Sequence, residues 1–179
     1  TDLKIYSDEY TYSAEKARWE LNTRIVDKTE QFVLSDGKWN FDPSTVITLK
    51  AKGDAETSTF YQTIVDWVKE HYSEYVTSYG NNEYYYGSSA YQNNFDFRPD
   101  KWKVQNPAAY GTMFERLPEA FLPALQSLYG DADVVEGVDV IYTINFGIYD
   151  GSDAQYTIKY KVTGKGQFEY VADSLKKVE

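Results

Sequence analysis

The last third of the chain alternates apolar and polar residues with the two-residue period of a β-strand. Every second residue is apolar over 138–148 and over 156–162, and a further short apolar run covers 168–171. Turn residues at 150–153 and 164–166 separate the three runs. Antiparallel strands of this kind share one apolar face, which must be covered. The pattern therefore predicts a three-stranded meander that packs against another element.

The best helical pattern covers residues 57–79. Its apolar stripe recurs at spacings of 4, 4, 3, 4 and 4 residues, through Phe60, Ile64, Val68, His71, Tyr75 and Tyr79. Thr59 followed by Gln62 matches a capping box, and the sequence Gly80-Asn81-Asn82 supplies a left-handed stop. We predict one long amphipathic helix here, which is the natural cover for the meander.

Two short strands and a tight turn are predicted before this helix. Residues 31–34 and 39–41 flank a central Asp36-Gly37 pair, and Asp-Gly favours the positive φ values of a type I′ hairpin. Residues 46–52 predict another strand, with Ile47, Leu49 and Ala51 on one side.

The first thirty residues are compatible with two local structures. Leu3, Ile5 and residues 10–12 have the spacing of a strand, whereas residues 14–21 have a helix-forming composition with Ser13 as a cap. Tertiary contacts are able to override either preference, so both alternatives stay open at this point.

Residues 107–129 have a helical composition that prolines interrupt. Because each proline removes a backbone donor and clashes one turn back, we expect that Pro118 and Pro123 cannot both lie inside one regular helix. We predict two or three short helices, with Gly130 closing the last one.

These elements together predict the α+β class. The expected architecture is an antiparallel sheet whose C-terminal meander packs against one long amphipathic helix and short proline-broken helices. No internal repeat or low-complexity linker divides the sequence. We expect a single domain over residues 1–179, with residues 1–42 as a candidate for a small hairpin unit.

Composition removes several classes of function. The 179 residues carry a net charge of −10 with one histidine and no cysteine, which excludes disulfides, thiolate metal sites and cysteine nucleophiles. An acidic chain without a basic stripe would repel nucleic-acid phosphates. No apolar stretch approaches the roughly 20 residues that cross a bilayer. We therefore expect no cofactor, no nucleic-acid partner and no membrane-spanning segment.

Aromatic residues are the unusual component, at 17% of the chain. Residues 84–102 carry seven aromatic side chains among Gly, Ser and Asn. Either these rings complete the core over the sheet, or they face outward around a groove, where rings and amides would hold a glycan or a protein. In the second case the ligand-binding residues would be Trp39, Tyr84, Tyr85, Tyr86, Tyr91, Asn93, Asn94 and Trp102.

Catalytic and metal-binding patterns are weaker. Asp96 and Asp100 are a carboxylate pair in a cleft-like sequence. The stronger interpretation is that Asp100 is a turn residue and that Asp96 pairs with Arg98 or with a backbone amide. His71 is the single candidate general base, and no nucleophile motif accompanies it. The acidic residues of 131–136 lack the spacing of a calcium loop and indicate a solvated linker.

Two segments resemble known sequences. Residues 32–39 resemble the aromatic-x-x-x-Asp-Gly-x-Trp hairpins of cell-envelope lipoproteins from the Bacteroidetes, and residues 82–91 with 94–98 resemble a C-terminal module in uncharacterised members of that group. The resemblance implies a lipid-anchored periplasmic or surface protein attached to glycan uptake or adhesion machinery, and it implies no catalytic residues. The chain begins at Thr1, so we expect that a targeting segment has been removed.

Three functions follow as hypotheses. The first is a non-catalytic extracytoplasmic binding module for glycan or envelope-protein ligands. The second is a pocketed enzyme or small-molecule binding protein that uses His71, since helices before a long antiparallel hairpin are similar to the nuclear-transport-factor-2-like cone fold. The third is a structural domain of a longer lipoprotein. The sequence does not indicate an oligomeric state.

Overall fold

The computed structural model describes residues 2–50, 52–79, 82–99, 107–112 and 114–178. The predicted α+β class is confirmed. The chain forms two compact units, which are described separately here. The first comprises Thr1–Ser44 with Val135–Val140, and the second comprises Thr45–Val134 with Ile141–Glu179.

The first unit is a three-stranded antiparallel sheet of order β1-β2-β3. Its strands are β1 (Asp2–Ser13), β2 (Arg18–Ser35) and β3 (Lys38–Asp42). The predicted type I′ turn joins β2 to β3, with φ angles of 50° at Asp36 and 74° at Gly37. The hairpin that the Asp-Gly pair predicts is therefore confirmed.

The helical alternative for residues 14–21 is wrong. These residues form the turn between β1 and β2 and the beginning of β2, with Ala17 in the left-handed region at φ 50°. Tyr12 and Trp19 face each other across the hairpin with ring centroids 5.5 Å apart. Pairing with the preceding strand and aromatic contact outweigh the local helix propensity.

The second unit contains a mixed sheet covered by helices. Its strands are β4 (Thr45–Thr48), β5 (Val76–Tyr79), β6 (Asn82–Tyr85), β7 (Ser88–Ser89), β8 (Asn94–Asp96), β9 (Ile141–Tyr149), β10 (Asp153–Gly164), β11 (Gln167–Tyr170) and β12 (Lys176–Lys177). The predicted meander is confirmed as the antiparallel series β9-β10-β11. The sequence did not indicate that β4 and β8 both pair with β9 in parallel.

Strand β4 is shorter than the predicted 46–52. It ends at Thr48, and Leu49 adds one further hydrogen bond, from its N–H to the Asn145 carbonyl at 2.8 Å. Ile47 and Leu49 are buried as expected, whereas Ala51 lies outside the described residues.

The helix predicted over 57–79 is correct in its first half and wrong in its second. Helix α1 (Ala55–His71) begins two residues earlier and ends at His71. A 3-10 turn (Ser73–Tyr75) follows, and the next residues pair as β5 with β6. Residues 76–79 therefore form hydrogen bonds to a second strand, which they could not form as part of a continued helix. The predicted Gly80-Asn81 stop lies outside the described residues.

Two short helices occupy the proline-containing segment, as predicted. Helix α2 (Pro107–Tyr110) is one turn long, and α3 (Leu117–Leu128) contains both Pro118 and Pro123, which corrects the expectation that one helix could not hold both. Pro118 lies in the first turn, where a backbone N–H has no partner within the helix, so only Pro123 removes a bond. The helix ends before Gly130, as expected.

An aromatic cluster joins the helices to the sheet in the second unit. The side chains of β9 alternate between buried and half-buried positions, and the buried set faces α1 and α3. Phe121 of α3 stacks edge-on against Phe146 at 4.8 Å, and Tyr61 of α1 contacts Phe95 of β8 at 5.4 Å. Phe95 thus belongs to the core although it comes from the aromatic segment.

Candidate functional site

The aromatic segment does not form a continuous exposed face. Tyr86 is 2% exposed, and its hydroxyl donates to the Thr112 carbonyl at 3.2 Å, so it is a core residue rather than a ligand-facing one. Tyr91 is 51% exposed. Tyr84 and Tyr85 have described backbone only, in β6.

Neither of the two tryptophans named as candidates contributes a described side chain to this segment. Trp39 is 59% exposed and belongs to β3 of the first unit, whereas the segment belongs to the second. Trp102 lies outside the described residues. The candidate site is therefore built from the polar residues of the segment.

A cleft of about 250 Å³ lies where β8 joins β9, and we name it the amide cleft. Its polar and backbone lining comes mainly from Gln92, Asn93, Asn94, Gly147, Asp153 and Gln155. Four of these six residues carry carboxamide side chains, which both donate and accept hydrogen bonds. The cleft therefore offers neutral, two-way hydrogen bonding, with one carboxylate as an additional acceptor.

Gly147 leaves open space between two of these amides. A Cβ atom at this position would lie 3.7 Å from Gln155 Nε2 and 3.8 Å from Asn94 Cβ, which is ordinary van der Waals contact. Its φ angle is not positive, so the backbone itself does not require glycine. The absence of a side chain here creates volume in the cleft.

Asn94 supplies an unused acceptor. Its Oδ1 atom is buried and has no hydrogen-bond partner among the residues that the structure describes. A buried carbonyl without a partner costs about 1–3 kcal/mol, so such an atom in a cleft invites a donor from outside the protein.

Tyr61 approaches the same glycine from α1. Its hydroxyl is fully buried and forms no hydrogen bond within the described part of the chain, although the Gly147 N–H lies close to it. Burial raises the pKa of Tyr61 far above its usual range, and the Gly147 N–H opposes this only in part. Tyr61 thus stays neutral, and two unsatisfied buried polar atoms lie near Gly147.

Asn93 fixes the loop that carries the cleft amides. It has a positive φ of 55° and is 3% exposed. Ser58 Oγ donates to Asn93 Oδ1 at 2.9 Å, and Asn93 Nδ2 donates to the Asp54 carbonyl at 3.3 Å. Because its amide is already bonded to the beginning of α1, Asn93 positions the loop and leaves ligand contact to its neighbours.

Tyr91 stands next to the cleft in sequence, one residue before Gln92. Lys52 Nζ lies 3.9 Å from the centre of its ring and donates to its hydroxyl at 2.7 Å. Since Tyr91 is half exposed, its ring remains available to an apolar edge of a ligand.

His71 is not assembled into a catalytic group. It is exposed, its ring stacks on Trp67 with centroids 4.5 Å apart, and its Nδ1 lies 2.9 Å from the Trp67 carbonyl oxygen. It lines neither the amide cleft nor the second cavity, which lies at the beginning of α1. This geometry gives the enzyme hypothesis no support.

Among the remaining acidic candidates, Asp96 has a structural role. Asp96 is buried and accepts from Arg98 Nε at 2.8 Å, so the expected pairing with Arg98 is confirmed. Asp100 lies outside the described residues. The acidic side chains of 131–136 are exposed, and no group of three metal-ligating residues converges within the described ranges.

A scan against family models, a search of the curated proteins and a search of the solved structures found no match to this chain. Among the helices that the structure describes, none is long and apolar enough to cross a membrane. The chemistry of the amide cleft is therefore inferred from the geometry of the cleft alone.

Proposed function

We propose that this protein is a non-catalytic binding module that holds a hydroxyl-rich, carbohydrate-like ligand in the amide cleft. The observation that carries the proposal is the buried Asn94 Oδ1 without a partner, beside the space that Gly147 leaves open. A ligand hydroxyl would donate to this oxygen and remove the cost of its burial.

The composition of the cleft favours sugar hydroxyls over charged ligands. Each sugar hydroxyl both donates and accepts, which matches the carboxamides of Gln92, Asn94 and Gln155. The Asp153 carboxylate adds an acceptor for a hydroxyl, and the Tyr91 ring offers a face for C–H groups.

The size of the cleft sets the size of the ligand. Its volume of about 250 Å³ is below the range of roughly 300–1,000 Å³ that is typical of drug-sized ligands. A single sugar ring, such as the terminal unit of a glycan, is therefore the unit that we propose the cleft recognises.

We place this module outside the cytoplasm, on a lipid-anchored envelope protein. The acidic, tyrosine-rich composition and the resemblance of residues 32–39 and 82–98 to envelope lipoproteins support this location. The partner would be an envelope glycan, or an envelope protein that carries one.

The decisive variant is Gly147→Ala, tested by isothermal titration calorimetry against a panel of monosaccharides and glycans. The added methyl group makes ordinary contacts and reduces the freedom of the unfolded chain, so we expect unchanged or slightly higher thermal stability. The same methyl group fills the cleft, so we expect at least about tenfold weaker binding, a loss of about 1.4 kcal/mol.

Gly111→Ala is the matched control, because Gly111, like Gly147, has no positive φ, and its added Cβ would lie farther than 4 Å from every described neighbour. It should bind like the unaltered protein. Asn94→Ala should weaken binding without preventing folding. Absence of heat with every sugar, or undiminished binding by the Gly147→Ala protein, would refute the cleft as a carbohydrate site.

A further inference from the structure

A second cavity of about 400 Å³ lies at the beginning of α1, and we name it the α1 cavity. Its apolar lining includes Ile47, Leu49 and Phe60, which are all buried. The polar rim comes from the first turns of α1 and the preceding loop, while Leu128 and Tyr129 close it from the end of α3. The cavity thus combines an apolar floor with a polar mouth.

One carboxylate at this rim is already satisfied. Asp54 accepts from Thr57 N at 3.0 Å and Thr57 Oγ1 at 2.7 Å, and it pairs with Lys50 Nζ at 3.2 Å. The hydrogen bonds from Thr57, together with Lys50, hold the pKa of Asp54 below its usual value. Asp54 and Lys50 therefore neutralise each other, and neither sets the net charge of the cavity.

The remaining charge at the rim of the α1 cavity is the carboxylate of Glu56. It lies in the first turn of α1, is exposed, and forms no ion pair within the described ranges. Its negative potential reaches across the cavity mouth to Tyr129, whose pKa is raised by burial first and then by Tyr142 and Glu56. With Asp54 and Lys50 paired, the Glu56 carboxylate outweighs the positive end of the α1 dipole, about half a unit charge, and the mouth of the cavity is negative.

The end of α3 adds to this potential. Tyr129 caps this helix, and its backbone N–H donates to the Leu125 carbonyl at 2.8 Å. No basic residue lies in the last turn of α3, so the negative end of the helix dipole is not compensated by the helix itself. An aromatic ring, a free carboxylate and a helix C-terminus together favour a cation.

We propose that the α1 cavity binds a small primary alkylammonium group. The ammonium would lie between Glu56 and the Tyr129 ring, and its alkyl chain would lie on Ile47, Leu49 and Phe60. This site shares only Leu49 with the lining of the amide cleft, and the proposal does not depend on carbohydrate binding.

Amide chemical shifts of the intact chain, titrated with n-butylammonium and in parallel with n-butanol, test this proposal. The two probes have the same apolar body and differ in charge. We expect n-butylammonium to shift resonances around residues 47–60 and at Tyr129, and n-butanol to bind at least about fivefold more weakly, as one exposed charge interaction predicts.

Variants at the rim separate charge from shape. Glu56→Gln should weaken the affinity for n-butylammonium about fivefold. Glu70→Gln is an exposed change near the other end of α1 and should leave this affinity unchanged. Thr59→Glu adds a third carboxylate at the rim, which like Glu56 is not paired with Lys50, and should tighten binding. Equal binding of the two probes, an unchanged affinity in Glu56→Gln, or no shift in this region would each overturn the proposal.

Discussion

At the scale of single residues, Asn93 shows how one side chain organises the cleft. Its left-handed backbone conformation costs an ordinary residue about 1–2 kcal/mol, whereas asparagine and glycine tolerate it. Its amide then bonds to Ser58 and to the Asp54 carbonyl at the beginning of α1. The conformation and the two bonds together hold Asn94 at the cleft.

Substitutions at Asn93 separate these two contributions. Asn93→Ala loses the side-chain bonds and strains the backbone, whereas Asn93→Gly loses the bonds alone. We expect Asn93→Gly to be more stable than Asn93→Ala by about 1 kcal/mol. Urea unfolding of both variants measures the difference, and equal stabilities would show that the positive φ carries no cost here.

The sequence names two of the residues that line the cleft and gives no sign of a third. Asn93 and Asn94 are candidates because they lie among aromatic residues, and both line the cleft, while their role in ligand binding stays a prediction. Gly147 was treated as one polar-face position of a strand, and nothing local marks it as the neighbour of Asn94. Only the pairing of β8 with β9 brings these two residues together.

At the scale of elements, α1 illustrates a correct pattern with a wrong boundary. The buried stripe of Phe60, Ile64 and Val68 is confirmed, because apolar periodicity reports the face that packs. The predicted capping box at Thr59 is wrong. Asp54 is the N-cap, and Thr59 Oγ1 donates instead to the Ala55 carbonyl at 3.0 Å.

Asp54→Ala and Thr59→Ala should therefore have different effects. Removing Asp54 leaves the Thr57 N–H without its acceptor, so we expect a lower melting temperature. Removing the Thr59 hydroxyl should change little, because alanine favours the helix and the lost bond is not a cap. Differential scanning calorimetry compares the two, and equal melting temperatures would contradict the assignment of the cap.

The contribution of Asp54 also depends on pH. The pKa of Asp54 in the folded protein lies below the ordinary value of 3.8, because Thr57 donates hydrogen bonds to its carboxylate and Lys50 pairs with it. Its stabilising effect is thus fully present above that value and is lost as the pH falls through the lowered pKa. The difference in melting temperature between Asp54→Ala and the unaltered protein should accordingly shrink in acid. A difference that grew in acid would contradict this pH dependence.

At the scale of the whole molecule, buried tyrosines make the fold sensitive to base. Burial raises the pKa of Tyr61, Tyr86 and Tyr160 above the ordinary value of 10.0. Tyr160 is also bonded, since its hydroxyl donates to the Pro118 carbonyl at 2.7 Å. The folded state therefore keeps protons on these side chains that the unfolded chain releases.

We expect the free energy of unfolding to fall as the pH rises above about 10, where the unfolded tyrosines ionise. Below that pH their contribution is complete. The tyrosinate absorbance should show a fraction of the tyrosines ionising only together with the loss of circular dichroism. A single smooth titration of all 18 tyrosines in a folded protein would contradict this burial.

The elements whose signal is local are predictable from the sequence alone. Three such signals each appear within a few consecutive residues: the alternation over β9 and β10, the apolar stripe of α1, and the Asp-Gly turn after β2. They are local because the direction of a side chain follows the period of the local backbone. The α+β class follows from these elements alone.

The remaining features depend on pairing between strands. The tyrosine-rich residues after α1 form strands because β5 pairs with β6, and residues 14–21 form a hairpin because the beginning of β2 pairs with the end of β1. The amide cleft exists because β8 brings Asn94 beside Gly147 of β9, far away in the chain. Such proximity depends on pairing between distant segments, which no local pattern encodes.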